Sequence, residues 1–500
     1  MESALWHNCF NFSPFLRRFR WQAQQLVSLP ILSVRGETMN KKLVALAVGG
    51  AFALPFAAQA QTANVTLYGR LNVDFEFVNG STCQGGISAG AGSLGTQTGA
   101  NQSGGGTACT NTAGVNQKTN PTVNRVSSNS SRFGMRGTES LGGGLNAVFQ
   151  IESSVSGDTG VNSGSNIATR ETFVGLQGSW GRVIMGKFLM PQDDLHGIFG
   201  NAPTFLTSVL STADLWAFGN LTKAQGGWDA RTGNNVRYDS PNWNGFTLAL
   251  QYSTRDDSGN TQQTPNGGDN GDHPSVQNHA NVWGANLIYN NGPLQVGGAI
   301  EYNNKVRNAF SATTATWTPP NLKDYDWTVT GSYNFGTIMQ GFGLQIGVVY
   351  EQTRYDVQDP AATVGSSCRF GIDTGTCTLK RNFWGVSATI PIGGGKIYGF
   401  YGNAGAGKGS AADGTSVGYL TNGSQTKSQQ GEISYSYALS PRTTLWVGYT
   451  KLINQCRASY TFNINPYPIA VNTLSRVAGG PNDFCSGQPS AGTLGITHLF

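Results

Sequence analysis

Charge is scarce in this sequence. Asp, Glu, Lys and Arg make up 12% of its 500 residues, about half the ~25% of an ordinary globular chain. That excludes disorder of the charge-rich kind. Lys and Arg number 32 against 27 acidic residues, but six of the basic and two of the acidic residues precede residue 61. The rest of the chain carries 26 against 25, so it presents no basic field for nucleic acid. Long apolar runs are also missing. Beyond residue 60 none reaches 18 residues, which excludes a membrane-spanning helix. Histidine is rare there too: His196, His273, His279 and His498 are the whole set, and no two stand at a metal-binding spacing. The seven cysteines include no C-x-x-C pair. What is abundant is glycine, 69 residues, together with 11% aromatics at a mean hydropathy of −0.25. The glycines have no three-residue period, so collagen is excluded. Glycine, Asn, Ser and Thr with many aromatics fit many strands joined by polar loops.

The first 60 residues read as targeting sequence. Met39-Asn40-Lys41-Lys42 is a basic start, Leu43 to Ala58 is apolar and small, and Ala58-Gln59-Ala60 is an A-x-A cleavage site. These are the three regions of a secretory signal peptide in order. Cleavage is expected after Ala60. Residues 1–38 then have no role, and a misassigned start is expected, with translation beginning at Met39. Cys9 falls in this segment, leaving six cysteines. An even number in an exported chain implies disulfides.

The recurring signal is alternation with period two. Phe246, Leu248, Leu250 and Tyr252 share one face, against Thr247, Ala249, Gln251 and Ser253. Ile433, Tyr435, Tyr437 and Leu439 oppose Glu432, Ser434, Ser436 and Ala438. Leu145, Ala147, Phe149 and Ile151 oppose Asn146, Val148, Gln150 and Glu152. Each is a strand with one apolar and one mostly polar side. Sixteen such segments are counted, centred near 64–78, 131–139, 144–153, 169–178, 181–188, 233–240, 245–254, 281–290, 293–302, 323–334, 341–353, 379–391, 395–403, 429–439, 442–453 and 491–500. Their connectors alternate between short (141–144, 178–181, 241–245, 290–292, 391–395, 439–442) and long (79–130, 154–168, 189–232, 255–280, 303–322, 354–378, 404–428, 454–490). A 16-stranded antiparallel transmembrane β-barrel, with short periplasmic turns and long extracellular loops, has this pattern. A large soluble β-sandwich also alternates, but nothing in it forces connector length to alternate. The six cysteines all lie in long connectors, and the simplest of fifteen pairings is loop-local: Cys83–Cys109, Cys368–Cys377 and Cys456–Cys485.

Catalytic motifs are decoys. Gly86 to Gly90 matches the serine-hydrolase elbow but sits in a Gly/Ser-rich loop, and the elbow requires a strand before it and a helix after it. Gly402 to Lys408 resembles a P-loop, but Gly409 stands where Ser or Thr must hold magnesium. No enzyme, cofactor or metal is expected. The remaining chemistry is charge on the polar strand faces. Arg132 and Arg136 oppose Phe133 and Met135; Arg170 is set opposite Phe173; Arg237 and Asp239 oppose Val236 and Tyr238; Arg70, Asp74 and Glu76 oppose Leu67, Leu71 and Phe75. A lipid-facing arginine near mid-bilayer costs ~2–4 kcal/mol, so these arginines belong in the lumen, as ion-selecting charges or as salt bridges across the wall. The third long connector, Leu189 to Thr232, holds Asp193, Asp194, Asp214 and Asp229 with Ile198, Phe199, Phe205, Leu206, Leu215, Trp216 and Phe218. So apolar a loop is expected to fold inside the barrel or pack on a neighbouring subunit. Inside, with Asp193, Asp194, Asp74 and Glu76 as acidic groups, it makes a constriction against a basic wall.

Several segments resemble the trimeric general porins of Gram-negative bacteria, of the neisserial and burkholderial type: NVTLYGRLNVDF, SSRFGMRGTESLGGGLNAVFQIESS, TFVGLQGSWGRVIMGKF, NNVRYDSPNWNGF, YSYALSPRTTLWVGY and the terminal GITHLF. The resemblance spans Met39 to Phe500. It implies a homotrimer in the outer membrane with lipid and lipopolysaccharide around it, a third loop folded into the pore, and passive diffusion of ions and small hydrophilic solutes. It implies that Phe500 is the C-terminal aromatic read by the barrel-assembly machinery. Arg132 matches a pore-wall arginine of the family, with Arg170 and Arg237 as equivalents. The long Gly-rich first loop and the three disulfides depart from the family pattern. A weak anion preference is expected. The alternatives are a barrel enzyme, a closed structural or adhesive barrel, and an 18-stranded solute-specific porin.

Overall fold

The computed structural model describes residues 64–80, 87–89, 107–113, 122–160, 167–199, 208–218, 227–254, 280–306, 310–311, 316–317, 322–339, 341–357, 377–417, 420–455, 457–458, 460–462, 470–471 and 488–500. The chain divides into Met1–Gln61 and Thr62–Phe500, and every described residue lies in the second unit.

Sixteen staves make the wall. They are β1 (Asn64–Asn79), β2 in two pieces (Val123–Ser128 and Arg132–Gly142), β3 (Leu145–Ser154), β4 (Thr172–Gly178), β5 (Gly181–Leu189), β6 (Arg231–Asp239), β7 (Phe246–Ser253) and β8 (Asn281–Asn291). The second half is β9 (Leu294–Asn304), β10 (Lys323–Asn334), β11 (Gln345–Val357), β12 (Cys377–Ile392), β13 (Gly395–Ala404), β14 (Ser428–Ser440), β15 (Thr443–Asn454) and β16 (Ser490–Leu499). Each pairs antiparallel with the next, and β16 returns to β1 from Arg70↔Leu499 to Asn79↔Ser490. The sheet is therefore closed, with no free edge in the wall. A soluble sandwich is excluded.

The alternation explains why the sheet closes this way. Leu67 (63% exposed), Leu250, Trp283, Ile300, Val348, Ile433 and Leu494 project outward. Their neighbours in sequence turn inward, where Asp74, Gln251, Thr328, Glu351 and Ser434 are buried. Hydrocarbon outside takes the apolar face, and the backbone is satisfied within the ring. The short connectors are turns of left-handed backbone. In the one joining β6 to β7, Asn244 and Gly245 have φ of 52° and 98°, and Asn242 Oδ1 accepts from Gly245 N at 2.7 Å.

Three details depart from the sequence reading. First, β2 begins at Val123, eight residues above the expected start near 131. Its upper piece pairs with β1 from Val73↔Ser128 to Val78↔Val123. Asn129–Ser131 bulge out between the two pieces, with Ser130 at φ 52°. The bulge is held by Asn129 N donating to Asn72 O (2.8 Å) and Asn72 N donating to Ser131 Oγ (2.9 Å). Second, two cysteines lie in strands. Cys377 opens β12 and is disulfide-bonded. Cys109 lies in Thr107–Ala113, which pairs with Ile87–Ala89 and, in parallel, with Ala470–Val471. That small sheet joins the first and eighth loops, which the sequence reading left as plain loop, and Ser88 sits in its strand. Cys83, Cys368, Cys456 and Cys485 lie outside the described residues, so the three pairings are not described. Third, the upper part of the wall carries two further hairpins, Phe310–Ser311 with Thr316–Trp317 and Ser416–Val417 with Leu420–Thr421.

Candidate pore constriction

The third loop leaves β5 at Leu189 and returns to β6 at Arg231. Its described residues lie along the inner wall from β7 to β15. Asn286 Nδ2 of β8 donates to Pro191 O (2.8 Å) and Asp194 Oδ2 (2.7 Å). Gln192 Nε2 donates to Asp326 and to Thr328 Oγ1 (2.9 Å) on β10. Glu351 of β11 accepts from Ala217 N at 2.6 Å. Ser387 of β12 donates to Phe199 O at 2.7 Å. Phe199 meets Phe400 of β13 edge-on at 5.8 Å. Gln430 of β14 donates to Ser211 O at 2.9 Å.

Burial drives this docking. Leu195, Phe199, Leu215, Trp216 and Trp228 are fully buried. Such side chains each contribute about 1.5–3 kcal/mol on leaving water, which offsets backbone ordering at about 1–2 kcal/mol per residue. The wall beneath the loop is glycine. A Cβ at Gly297 would stand 2.6 Å from Ile198 Cδ1, one at Gly347 2.6 Å from Phe199 O, and one at Gly448 2.5 Å from Leu210 Cδ1. Small inward residues also make room for the loop: Ser434 lies 2.9 Å from the Gly448 Cβ position beside Leu210, and Ala249 and Ser253 are buried. The described part of the loop thus packs on the inner wall of its own barrel. Phe205 and Leu206 lie outside the described residues.

The ion pair beneath the loop was not foreseen. Arg381 Nη2 and Glu351 Oε2 are 2.6 Å apart, both side chains at most 1% exposed. Arg381 Nη1 also reaches the Tyr460 hydroxyl at 3.3 Å. The only available signal was an inward-parity carboxylate and arginine on neighbouring strands. Glu351→Ala leaves a buried arginine without its carboxylate, at a cost of about 3–5 kcal/mol. It also removes the acceptor of Ala217 N. The expected result is frequent short-lived conductance fluctuations in single-channel records with the barrel still folded on gels. Quiet records would refute the tether.

The opposite arc, β1 to β6, carries a cluster of arginines. Arg132 and Arg170 converge on Glu152, at 3.8 Å and 2.6 Å, and Tyr68 donates to the same carboxylate at 3.0 Å. Arg136 lies over the Tyr68 ring, 5.2 Å from its centroid. Arg182 and Arg237 share Asp239, each at 2.7 Å, and Arg237 also binds Asp194 at 2.6 Å. Arg70 lies within Coulombic reach of Arg132, Arg170 and Arg231. A recess of about 270 Å³ lies among Tyr68, Arg132, Arg136, Glu152 and Glu171, and another of about 270 Å³ among Arg136, Gln150, Gln177 and Arg182.

The expected site residues therefore fare differently. Arg132, Arg136, Arg170 and Arg237 come together on one wall. Arg170 does so for another reason than parity. Phe173 points inward, packed with Val148, Ile184 and Phe188, while Val174 and Leu176 face out. Arg170 precedes β4, which starts at Thr172, so strand parity does not govern it. Arg70 is 9% exposed and donates to Asn129 O (3.3 Å) and Ser130 O (3.2 Å), bracing the β2 bulge. Asp74 and Glu76 face inward but are sealed: Asp74 accepts from Thr493, and Glu76 pairs with Arg125 at 2.5 Å. Asp194 is spent on Arg237, and Asp214 is fully buried and accepts from Gln430 at 3.1 Å. Asp193 stays partly exposed beside His196 and Asp229. Sequence reasoning missed Arg182, Arg231, Glu152 and Glu171. Glu152 had already been placed on a polar face and was not weighed.

Loop titration follows from this burial. Burial pushes the Asp193 carboxyl up to about 7, and Asp229 and Asp193 hold the His196 imidazole above its ordinary value despite burial. A raised carboxyl makes the folded loop bind more protons than the unfolded chain from pH about 4 to 7, so its stability falls as pH rises through that window. A raised histidine also stabilises below its unfolded value and loses this as pH climbs through its folded one. Both signs agree. Amides at Leu195 and Trp228, corrected for intrinsic rates, should exchange faster at pH about 8 than at about 5.5, and Asp193→Asn should flatten the difference. The opposite slope would refute it.

A closed sheet with a lipid-facing exterior, a polar interior and a loop folded across one side defines a membrane-spanning diffusion channel. The chain belongs to the Gram-negative porin family, whose sequence profile residues 44–455 match. It is 27% identical over 358 residues to outer membrane porin protein 32 of Delftia acidovorans, covering 71% of this chain and 77% of that one. It is 27% identical over 369 residues to the major outer membrane protein P.IA of Neisseria meningitidis, covering 67% and 81%. A solved structure titled as an anion-selective porin from Comamonas acidovorans shares the fold at a TM-score of 0.56 and 22% identity, over 88% of this chain and all of that one. The protein is accordingly an outer-membrane porin, a passive channel for ions and small hydrophilic solutes.

Proposed function

We propose that the channel favours anions, and that the arginine wall is the reason. The observation that carries this is the placement of the third loop. It covers the arc where Asp326, Glu351 and Glu432 lie buried and leaves the arginine arc toward the lumen. On that arc Arg70, Arg132, Arg136, Arg170, Arg182, Arg231 and Arg237 stand against Glu152, Glu171, Asp194 and Asp239. With Asp193 beside Arg231 as a fifth carboxylate, seven cations against five leave an excess of two positive charges. Charge of one sign in a narrow, low-dielectric passage raises the local concentration of its counter-ions.

The functional unit is a homotrimer in lipid and lipopolysaccharide, inserted through recognition of Phe500 by the assembly machinery, and it performs no chemistry on its solutes. The relative from Delftia and the neisserial proteins support an outer-membrane setting. Export runs through residues 39–60, with cleavage after Ala60 and translation from Met39. A mature N-terminus other than Gln61 contradicts the cleavage, and a peptide from residues 1–38 contradicts the start. Planar-bilayer recording of the native oligomer tests the channel reading. Stepwise conductance with closures in thirds supports a trimer of open pores. Correctly folded protein without conductance would favour a closed structural barrel.

A further inference from the structure

Loop 3 brings together a histidine and two aspartates that neither the fold nor ion selectivity requires. Asp193 and His196 stand three residues apart on the 3₁₀ turn Asp193–Gly197, and side chains at i and i+3 eclipse in that helix. Asp229 comes from the returning limb, two residues before β6. One donor atom from each lies within 4.8 Å of the others, and His196 Nε2 is 3.1 Å from Asp229 Oδ2. The imidazole is fully buried and braced by Trp216, ring centroids 4.0 Å apart.

We propose that Asp193, His196 and Asp229 form a binding site for a divalent transition cation of the zinc type, joining the outgoing and returning limbs of the third loop.

Three observations carry it. The donor set is one borderline imidazole and two harder carboxylates, a mixed set that zinc accepts with one position left for water. The donors lie slightly wider than a tetrahedral shell, so a cation would draw them in, with the 3₁₀ turn as the element that moves. Among the described residues the Asp193 carboxylate accepts no hydrogen bond, and the charged groups around it are His196, Asp229, Asp194 and Arg231. Two carboxylates and one imidazole can thus supply three donor atoms to one cation. A divalent cation would displace the proton shared by His196 and Asp229, releasing it to solvent. Affinity should therefore rise with pH. Calcium and magnesium, which take six or more oxygens, fit this set poorly.

The test is calorimetric titration of the full, untagged, detergent-purified oligomer with zinc chloride after chelator treatment, repeated with magnesium chloride. The expected result is one zinc per chain and no magnesium binding. His196→Ala and the near-isosteric Asp193→Asn should each weaken zinc by about 100-fold or more, while His498→Ala, at the periplasmic rim, leaves it unchanged. Cobalt chloride should give a visible band of tetrahedral intensity that His196→Ala abolishes. All variants are first checked for conductance, which separates lost binding from lost folding. Zinc stoichiometry unchanged in both loop variants, or no binding at millimolar zinc by the wild-type protein, overturns the proposal.

Discussion

Combining Arg132→Gln with Arg136→Glu is expected to abolish the anion preference of the channel. The pair removes three units of positive charge from the arc, more than the excess of seven arginines over five carboxylates. These two are the right targets because they are loosely held. Arg132 stands 3.8 Å from Glu152, whereas Arg170 takes the same carboxylate at 2.6 Å. Arg136 rests on the Tyr68 ring. Neither removal leaves a buried carboxylate without an arginine. An ion about 5 Å from a unit charge in water gains or loses about 0.8 kcal/mol, so three units amount to about 2.5 kcal/mol before screening. At 0.1 M salt, where the Debye length is ~10 Å, the chloride-to-potassium permeability ratio should fall by about tenfold or more. At 1 M, with a screening length of ~3 Å, most of the difference should vanish. Arg442→Gln, in the turn between β14 and β15, should do nothing. An unchanged ratio at low salt would mean that the arginine wall does not set selectivity.

The second large effect concerns closure. Phe500 ends the chain by pairing with Gly69 of β1: Gly69 N donates to Phe500 O at 3.0 Å, and Phe500 N donates to Gly69 O at 3.1 Å. The ring folds back over Gly69, and a Cβ there would stand 2.2 Å from Phe500 Cζ. Any side chain at Gly69 would have to push this ring aside. Gly69→Ala is therefore expected to displace the ring from the β16–β1 seam, losing its contact and weakening a rung of two hydrogen bonds worth about 0.5–1.5 kcal/mol each. Refolding into detergent, read by heat-modifiable gel mobility, should fall severalfold for Gly69→Ala and recover in Gly69→Ala with Phe500→Ala. That recovery is the coupling a double-mutant cycle isolates. Detergent refolding needs no assembly machinery, so it separates the packing role of Phe500 from its role as a signal. If the double variant refolds no better than the single, the clash is not the cause.

The wall was legible in the sequence because lipid outside and water inside impose the same period of two on every stave. Phe246 to Ser253 and Glu432 to Leu439 announce their faces without any knowledge of their partners. The interruption of β2 was not legible. Its bulge is closed by Arg70 and Asn72, more than fifty residues away in sequence, and nothing local in Asn129-Ser130-Ser131 marks it. The apolar content of the third loop showed that it folds somewhere dry, but not where. Its bed is a row of glycines and small residues on strands up to 250 residues distant, which alone suggest a roomy bore. The arginines were legible as lumenal from the cost of placing them in lipid. Their pairing was not, because Glu152 and Asp239 satisfy some and leave others. The partners of the acidic groups were hidden for the same reason: Glu76 and Asp194 each meet an arginine that only the closed barrel brings near.

The most direct test of an arginine wall facing a loop-lined pore is the reversal potential of the native channel in a planar bilayer under a steep potassium chloride gradient at low ionic strength. The account predicts a potential of the sign set by chloride, shrinking as both chambers approach molar salt. A potential of the sign set by potassium would contradict it, because the carboxylates now placed behind the third loop or paired with arginines would then have to face the solute path.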